Sequence, residues 1–202
     1  MRYNNTEEIG LIIEEYRNRR IEGKIIDLTP FRPEDSEDVV FLRNQDYVMW
    51  CFNQPRRYTV EGQIEWYDSY VQTSDDIFWC IRRKDGSFIG MIRVYDIDCD
   101  AQMCTQGTLA VDDRYKDEAP YAVEALVLTL DFAYGVLGVS KVLHENRIGN
   151  RNMNNLSRKL GATEDGQILF RGSEYIRWIL TVDNYRKNRD RFYNVVEWWE
   201  IR

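Results

Sequence analysis

One stretch of this sequence combines residue types and an order that suit the binding of an anion. It runs from Ala110 to Leu126 and reads AVDDRYKDEAPYAVEAL. This order is typical of the end of a strand, a tight loop and the first turns of a helix. Main-chain N–H groups and the helix dipole favour a phosphate at such a junction. The loop has no glycine, however, and it contains Asp117 and Glu118. The sequence therefore predicts a phosphate site with unusual side chains.

Metal chemistry is not indicated. The cysteines form no CxxC pair, and His144 is the only histidine. Zinc sites use clusters of these ligands at short spacing, so a zinc site is not expected. Apolar neighbours predict that all four cysteines are reduced, buried and structural: Cys51, Cys80, Cys99 and Cys104.

The composition indicates one globular domain. The chain has 202 residues, of which 44% are hydrophobic and 30% are charged. Its formal net charge of -7 argues against general nucleic-acid binding, which depends on clustered Lys and Arg. No run reaches the roughly 18 apolar residues that a membrane span needs, and the first residues do not resemble a signal peptide. We expect a cytoplasmic protein with no nucleic-acid or membrane partner.

The elements that must position the loop can be followed along the chain. Residues 6–20 have helical spacing and form an arm. Lys24–Phe31 is a first strand, and two helices follow it. The motif KDGS between two apolar runs predicts a hairpin. Gln102–Val111 adds a strand with Gly107 as a bulge, which completes an antiparallel meander.

The second half of the chain alternates helices and strands. Pro120–Leu137 has a broad apolar face, and Pro120 suits the first helical position. SKVLHEN predicts a strand, NRNMNNLSRKLGA a helix that ends at Gly161, and EYIRWILTV a last strand. The order indicates an α/β fold. We expect a mixed central sheet with an antiparallel N-terminal meander and a βαβα C-terminal half.

The tail of the chain is aromatic and charged. Its apolar residues have helical spacing: Phe192, Val195, Val196 and Trp199. One interpretation is a helix docked on its own domain; the other is a homodimer contact or a lid. We divide the chain into an N-terminal helical arm (1–22), a main domain (23–184) and a C-terminal aromatic helical extension (185–202).

This element order, together with several short motifs, resembles the GNAT family of N-acetyltransferases. The similarity is greatest to the branch that contains ribosomal-protein and amino-sugar N-acetyltransferases. It runs from about Lys24 to Asp183 and depends on FRPEDSEDVVFLRNQ, EWYDSYV, GSFIGMIRVYDID, YAVEAL and NRNMNNLSRKLGA. The resemblance implies the GNAT fold and acetyl-CoA as a cosubstrate, with no metal.

The family binds the coenzyme A pyrophosphate on a loop with the pattern R/Q-x-x-G-x-G/A. Two alignments remain open, because either Ala119 or Pro120 takes the place of the first glycine. Lys116 and Arg114 compensate for the acidic residues if Asp117 and Glu118 point outward. The resemblance assigns cofactor binding to Leu109, Ala110, Val111, Lys116, Ala119, Tyr121, Ala122 and Asn150.

Acyl transfer needs a route for the proton of the amine and a proton donor for the leaving thiolate. By resemblance, Ser157 takes the position of the family's tyrosine, although a serine hydroxyl is a poorer acid. Glu145 is the first choice as proton acceptor and His144 the second. Neighbouring strand residues point to opposite faces, so only one of them faces the cleft. Asn150 also suits a helix N-cap, which is compatible with cofactor binding.

The acceptor pocket of the family is built largely from its first two helices. Polar and aromatic residues in this region suit a nucleotide-sugar diphosphate and a sugar or base. Trp50 and Trp66 are also typical of a core. Asp96 and Asp98 suit a cationic acceptor or a solvated turn. We assign substrate binding to Asn53, Arg56, Trp66 and Tyr95.

Two functions remain open. The first is an acetyl-CoA-dependent N-acetyltransferase that acts on a primary amine of a small molecule, such as a nucleotide-linked amino sugar. The second is a GNAT-like binding or interaction module that has lost acyl transfer. The missing glycines, the acidic pair in the loop and Ser157 favour the second function, whereas the motifs LAVDDRY and YAVEAL, Asn150 and the polar, aromatic acceptor region favour the first.

Overall fold

The central sheet has eight strands in the order β1-β2-β3-β4-β5-β6-β8-β7 in the computed structural model, which describes residues 5–200. The strands are β1 (Ile21–Glu22), β2 (Ile26–Pro30), β3 (Ile77–Arg83), β4 (Phe88–Asp98), β5 (Met103–Val111), β6 (Lys141–Arg147), β7 (Thr163–Phe170) and β8 (Ser173–Thr181). Neighbouring strands are antiparallel except β5 and β6, which are parallel. The α/β fold with a mixed sheet and an antiparallel meander is confirmed.

The described residues also form seven α-helices. They are α1 (Thr6–Tyr16), α2 (Ser36–Arg43), α3 (Asp46–Cys51), α4 (Val60–Tyr70), α5 (Tyr121–Asp131), α6 (Arg151–Leu160) and α7 (Val182–Glu200). A 3-10 turn at Pro33–Asp35 precedes α2, and a π-helical turn at Phe132–Leu137 continues α5.

The alternation of side chains along β3 divides the apolar core into two layers. Ile77, Trp79 and Ile81 pack with residues of α1, α5, α6 and α7. Phe78 and Cys80 point to the opposite face and pack with residues of α2, α3 and α4. All five side chains are buried because both faces of the sheet are covered.

Local signals in the sequence fix several element ends. Gly86 has φ +88 in the turn between β3 and β4. The helix α6 begins after Asn150, whose side chain accepts the Met153 N–H, and it ends at Gly161 with φ +91. Pro120 is the N-cap of α5 and not its first helical residue, because its ψ of 46 lies outside the helical region.

The sequence did not predict β1, α3 or β7. Seven of the eight residues of β7 are exposed, so this edge strand lacks the apolar alternation that identifies a half-buried strand. The C-terminal half is therefore β6-α6-β7-β8-α7, with an additional hairpin.

The two ends of the described chain pack on the same layer. The helix α1 buries Ile9 and Ile13 in the larger core. The helix α7 lies against α5 and buries Tyr185, Phe192 and Val196. This is the arrangement of a tail docked on its own domain. Residues 1–4 of the arm and 201–202 of the extension lie outside the described residues, and the division into 1–22, 23–184 and 185–202 stays a prediction.

Across residues 5–200, no helix has the length and apolar character needed to cross a membrane.

Candidate active site

The parallel strands β5 and β6 separate partway along their length. They pair only over Met103–Thr105 and Lys141–Leu143. From Gln106 onward, β5 has no strand partner on its β6 side within the described chain. The two strands therefore form a V-shaped gap.

A bulge in β5 lies at the start of this gap. Thr108 has φ +55, and Thr108 and Leu109 together face one residue of β4, Ile92. The predicted Gly107 is next to the bulge. A Cβ atom on Gly107 would lie 2.9 Å from the Tyr95 hydroxyl, so only glycine lets this ring lie against β5.

A cavity of about 470 Å³ opens in the gap. Six of the residues named from the sequence as site candidates border it: Tyr95, Asp96, Leu109, His144, Glu145 and Asn150. Ala110 and Val111 continue β5 beyond the bulge. The structure thus brings together residues from β4, β5, β6 and the start of α6.

Glu145 and His144 lie on opposite faces of β6. Glu145 is partly exposed, and its Oε1 accepts hydrogen bonds from Arg177 Nε at 3.0 Å and Nη2 at 2.8 Å. His144 is buried, and its Nδ1 lies 3.1 Å from Ser157 Oγ in α6. Burial lowers the pKa of His144 to about 4, so its imidazole is neutral at pH 7.

Ser157 lies behind β6 and not at the cavity. It is completely buried, and its Oγ accepts a hydrogen bond of 3.0 Å from Asn146 Nδ2. The same hydroxyl forms a hydrogen bond with His144 Nδ1. The hydroxyl of Ser157 is thus hydrogen-bonded to Asn146 and His144 and does not face the cavity. A catalytic role for Ser157 stays a prediction.

The loop between β5 and α5 uses part of its main chain internally. N–H groups at four positions donate to carbonyls of the loop: Tyr115, Lys116, Glu118 and Tyr121. In contrast, the N–H groups of Asp113, Asp117, Ala119 and Ala122 have no acceptor within residues 5–200. The loop and the start of α5 therefore retain four main-chain donors for an anion.

The acidic side chains of this loop point outward. Asp117 and Glu118 are exposed. An oxygen of Glu118 lies 3.8 Å from Nη1 of Arg83, the last residue of β3. Lys116 Nζ lies 2.8 Å from an oxygen of Asp113. Arg114 is likewise paired with Asp112. The exposed pair of Lys116 is weak, so a diphosphate can compete for this cation, whereas Arg114 donates through Nε and Nη2 to the buried Asp112 and is held more firmly. The loop fits the diphosphate of coenzyme A, with a reduced set of donors.

The four substrate residues assigned from the sequence separate into three places. Tyr95 borders the cavity described above, and burial raises its pKa to about 12. Arg56 and Trp66 border a second cavity of about 480 Å³. Asn53 lies elsewhere: its amide donates to the carbonyls of Phe170 (2.8 Å) and Arg171 (3.2 Å), which ties α3 to the β7–β8 turn.

The two aspartates of the YDID motif have different surroundings. Asp96 borders the first cavity, and burial together with Asp75 and Asp76 raises its pKa. Asp98 accepts the Ala101 N–H in the turn after β4. Asp96 is thus available to a ligand, whereas Asp98 belongs to the turn.

Sequence reasoning missed four arginines that border the first cavity: Arg43, Arg93, Arg147 and Arg171. Arg93 is paired with Asp76, and Arg147 donates to the Trp50 carbonyl. A signal was present, because Arg93 interrupts the apolar run FIGMIRV and Arg43 closes the apolar run VVFL. A cation within a buried pattern points to a site.

The four cysteines are free thiols. Cys80 and Cys104 are buried, whereas Cys51 and Cys99 are only partly buried, so the expected burial is wrong for these two. In the part of the chain that the structure describes, no three His, Cys, Asp or Glu side chains are grouped to hold a metal ion.

The geometry described above agrees with comparisons to known proteins. Residues 26–163 match the acetyltransferase (GNAT) domain model. The chain belongs to the GNAT acetyltransferase family, which confirms the resemblance. No curated protein sequence matches it significantly.

Solved structures share the fold at low sequence identity. A GCN5-related N-acetyltransferase from Brucella melitensis superposes with a TM-score of 0.74 at 15% identity, over 88% of this chain and 85% of that chain. FdhC, a nucleotide-linked sugar GNAT, gives 0.73 at 20% identity over 89% and 99%. The spermidine N-acetyltransferase from Vibrio cholerae, in complex with CoA and spermine, gives 0.73 at 14% identity over 81% and 99%. These matches confirm the GNAT fold.

Proposed function

We propose that this protein is an N-acetyltransferase that moves an acetyl group from acetyl-CoA to a primary amine of a small molecule, with a nucleotide-linked amino sugar as the acceptor. The observation that carries this proposal is the gap between β5 and β6, where a cavity has Glu145 on its wall. Bound acetyl-CoA would supply an activated thioester carbonyl in this gap.

The residues of the chain have separate tasks in the proposed reaction. The main chain of Leu109–Val111 pairs with the pantetheine arm and aligns it along β5. Glu145 accepts the proton of the amine, directly or through a water molecule. Arg177 holds the carboxylate of Glu145 in position through two hydrogen bonds.

The coenzyme is held at the start of α5 in this proposal. The unpartnered N–H groups of Asp117, Ala119 and Ala122 bind the diphosphate, and Lys116 adds a positive charge. Asn150 combines its N-cap contact to Met153 with a position at the cavity.

The charge around the two cavities supports an anionic acceptor. Within the described chain, the only carboxylates on their walls are Asp96 and Glu145. Six arginines border them: Arg43, Arg56, Arg57, Arg93, Arg147 and Arg171. A field of this sign favours a phosphorylated amine over a polyamine.

A non-catalytic binding module is the second candidate. The burial of Ser157 and the internal pairing of Lys116 and Arg114 favour it. Such a module would bind an anionic ligand in the cavity without acyl transfer.

Thermal unfolding with acetyl-CoA, followed by a transfer assay, separates the two candidates. A ligand at 100 times its Kd adds about 2.7 kcal/mol of stability, which raises the Tm by several degrees. Lys116→Glu should abolish this increase, whereas Lys187→Glu on the exposed side of α7 should retain it. Glu145→Gln should keep the increase and lower kcat about 100-fold. An unchanged Tm at saturating acetyl-CoA would instead support the binding module.

A further inference from the structure

The second cavity, of about 480 Å³, is surrounded by positive charge. Four arginines line it, from α2, β4 and the segment before α4: Arg43, Arg56, Arg57 and Arg93. Among residues 5–200, no Asp, Glu or His borders it. The charges of the lining are therefore not balanced within the cavity.

Two of these arginines lack a carboxylate partner in the described structure. Arg93 is paired with Asp76, and Arg57 lies 2.8 Å from Asp46. Neither Arg43 nor Arg56 forms an ion pair with another of residues 5–200. Arg43 is partly buried, and a cation that is partly removed from water without a counter-charge is unfavourable, whereas Arg56 is exposed. The cavity therefore has the electrostatic character of an anion site.

Arg43 is the central residue of this arrangement. Its guanidinium lies 4.6 Å from the centre of the Tyr58 ring, and its Nε lies 3.4 Å from Gln54 Oε1. Both contacts are favourable but involve neutral groups, so no carboxylate balances the charge of Arg43. Burial and the nearby Arg93 lower the pKa of Arg43, as expected where two cations share a confined space.

The helix α4 adds a second source of positive potential. Its first turn borders the cavity through Thr59, Gly62 and Gln63. Thr59 Oγ1 accepts the Gly62 N–H at 3.1 Å, so the helix begins at the cavity wall. The N–H groups of Gly62 and Gln63 are both bonded to Thr59, so the helix contributes through its dipole, which favours an anion at this end.

We propose that the second cavity is a diphosphate subsite, which holds the nucleoside diphosphate part of the acceptor through Arg43 and Arg56. This inference deepens the proposed function and rests on it for the identity of the reacting amine. The two cavities share Arg43, Tyr58 and Arg93, so a ligand held in the second cavity extends directly into the first. Its amine then reaches Glu145, and a polyamine is rejected by the arginines.

Direct binding in the absence of any coenzyme tests the subsite. UDP, inorganic pyrophosphate and uridine are titrated into the full-length protein by calorimetry. We expect UDP and pyrophosphate to bind and uridine not to bind. Arg43→Gln and, separately, Arg56→Gln should each weaken UDP binding about tenfold or more, because each removes a charge-assisted hydrogen bond. Arg191→Gln removes the same charge from the exposed face of α7 and should change the affinity by less than about twofold.

Two further measurements complete the test: thermal unfolding, and UDP binding by a variant of Lys116 in the loop between β5 and α5, which we call the coenzyme loop. Arg43→Gln should unfold at a Tm no lower than the wild type, because it removes a cation without a counter-charge. The proposal is wrong if uridine binds as tightly as UDP, or if both variants keep wild-type affinity. It is also wrong if Lys116→Glu alone abolishes UDP binding, since the diphosphate then lies on the coenzyme loop. Arginine-dependent UDP binding without an acetyl-CoA effect would retain the subsite and reject the acetyltransferase.

Discussion

His144 and Glu145 show how one step along a strand separates two chemical roles. The period of β6 puts their side chains on opposite faces, and from this the sequence predicted that only one of them faces the cavity. In the structure both residues border it. The side chain of His144 is buried and hydrogen-bonded to Ser157 of α6, and Glu145 on the other face of β6 is paired with Arg177.

The buried histidine predicts a dependence of stability on pH. Burial lowers the pKa of His144 from 6.5 to about 4, so between these values the unfolded chain binds a proton that the folded protein does not. The contribution of His144 to the free energy of unfolding is fully present above about pH 7. It is lost as the pH falls towards 4, by about 3 kcal/mol in total. In denaturant unfolding, the wild type should lose about 3 kcal/mol more than His144→Gln over this range. Equal losses in both proteins would contradict the assignment.

At the scale of elements, one buried carboxylate of α5 is hydrogen-bonded to the turn between β1 and β2. Glu124 accepts N–H groups from Lys24, Ile25 and Ile26, at 2.9 Å for the last two. A Cβ on Gly23 would lie 2.8 Å from the same carboxylate, so the turn leaves no room for a larger residue. The contact joins α5, the helix that follows the loop after β5, to strands β1 and β2 at one edge of the sheet.

Removal of this carboxylate should weaken the fold. Glu124→Ala leaves three inward N–H groups without an acceptor, and we expect a loss of about 3 kcal/mol in the free energy of unfolding. Chemical denaturation measures the loss. Glu65→Ala on the exposed face of α4 is the matched control and should change stability by less than about 0.5 kcal/mol. Similar losses in the two variants would show that Glu124 has no special role.

Elements with a strong local signal were predicted from the sequence, and those defined by tertiary contacts were not. The β3–β4 hairpin and the ends of α6 at Asn150 and Gly161 follow from turn and cap chemistry. The strand β7 was missed because its exposed residues lack a period. The arginine-lined cavity was predicted only in part, through Arg56 and Trp66. Arg43 and Arg93 were missed because they are far apart in sequence and meet only when α2 packs on β4.

At the scale of the whole molecule, the charge on the cavity walls is opposite in sign to the net charge of the protein. The net charge is -7, yet arginines dominate the walls of both cavities. A negative net charge disfavours anions in general, whereas the local field at the cavities favours a small anion. The composition gives only the net charge. The location of the positive field depends on the fold.

The C-terminal helix α7 contributes to the core and to stability, although the sequence was divided so that this helix is an extension of the main domain. Tyr185, Phe192 and Val196 are buried, and Asp131 of α5 accepts hydrogen bonds from Arg189 at 2.8 Å. Burial of three such side chains contributes about 6 kcal/mol. That is comparable to the net stability of about 5–15 kcal/mol of a whole domain.

A chain that ends at Thr181 should therefore fail to fold cooperatively, as judged by the loss of a thermal unfolding transition. A chain that ends at Glu197 is the matched control. It keeps the three buried side chains and the contacts of Asp131, and it loses only the end of α7, including the weak exposed ion pair between Lys24 and Glu200. We expect it to unfold within a few degrees of the wild type. A cooperative transition in the shorter chain would show that α7 is a separable extension, and its aromatic face would then be free for a partner.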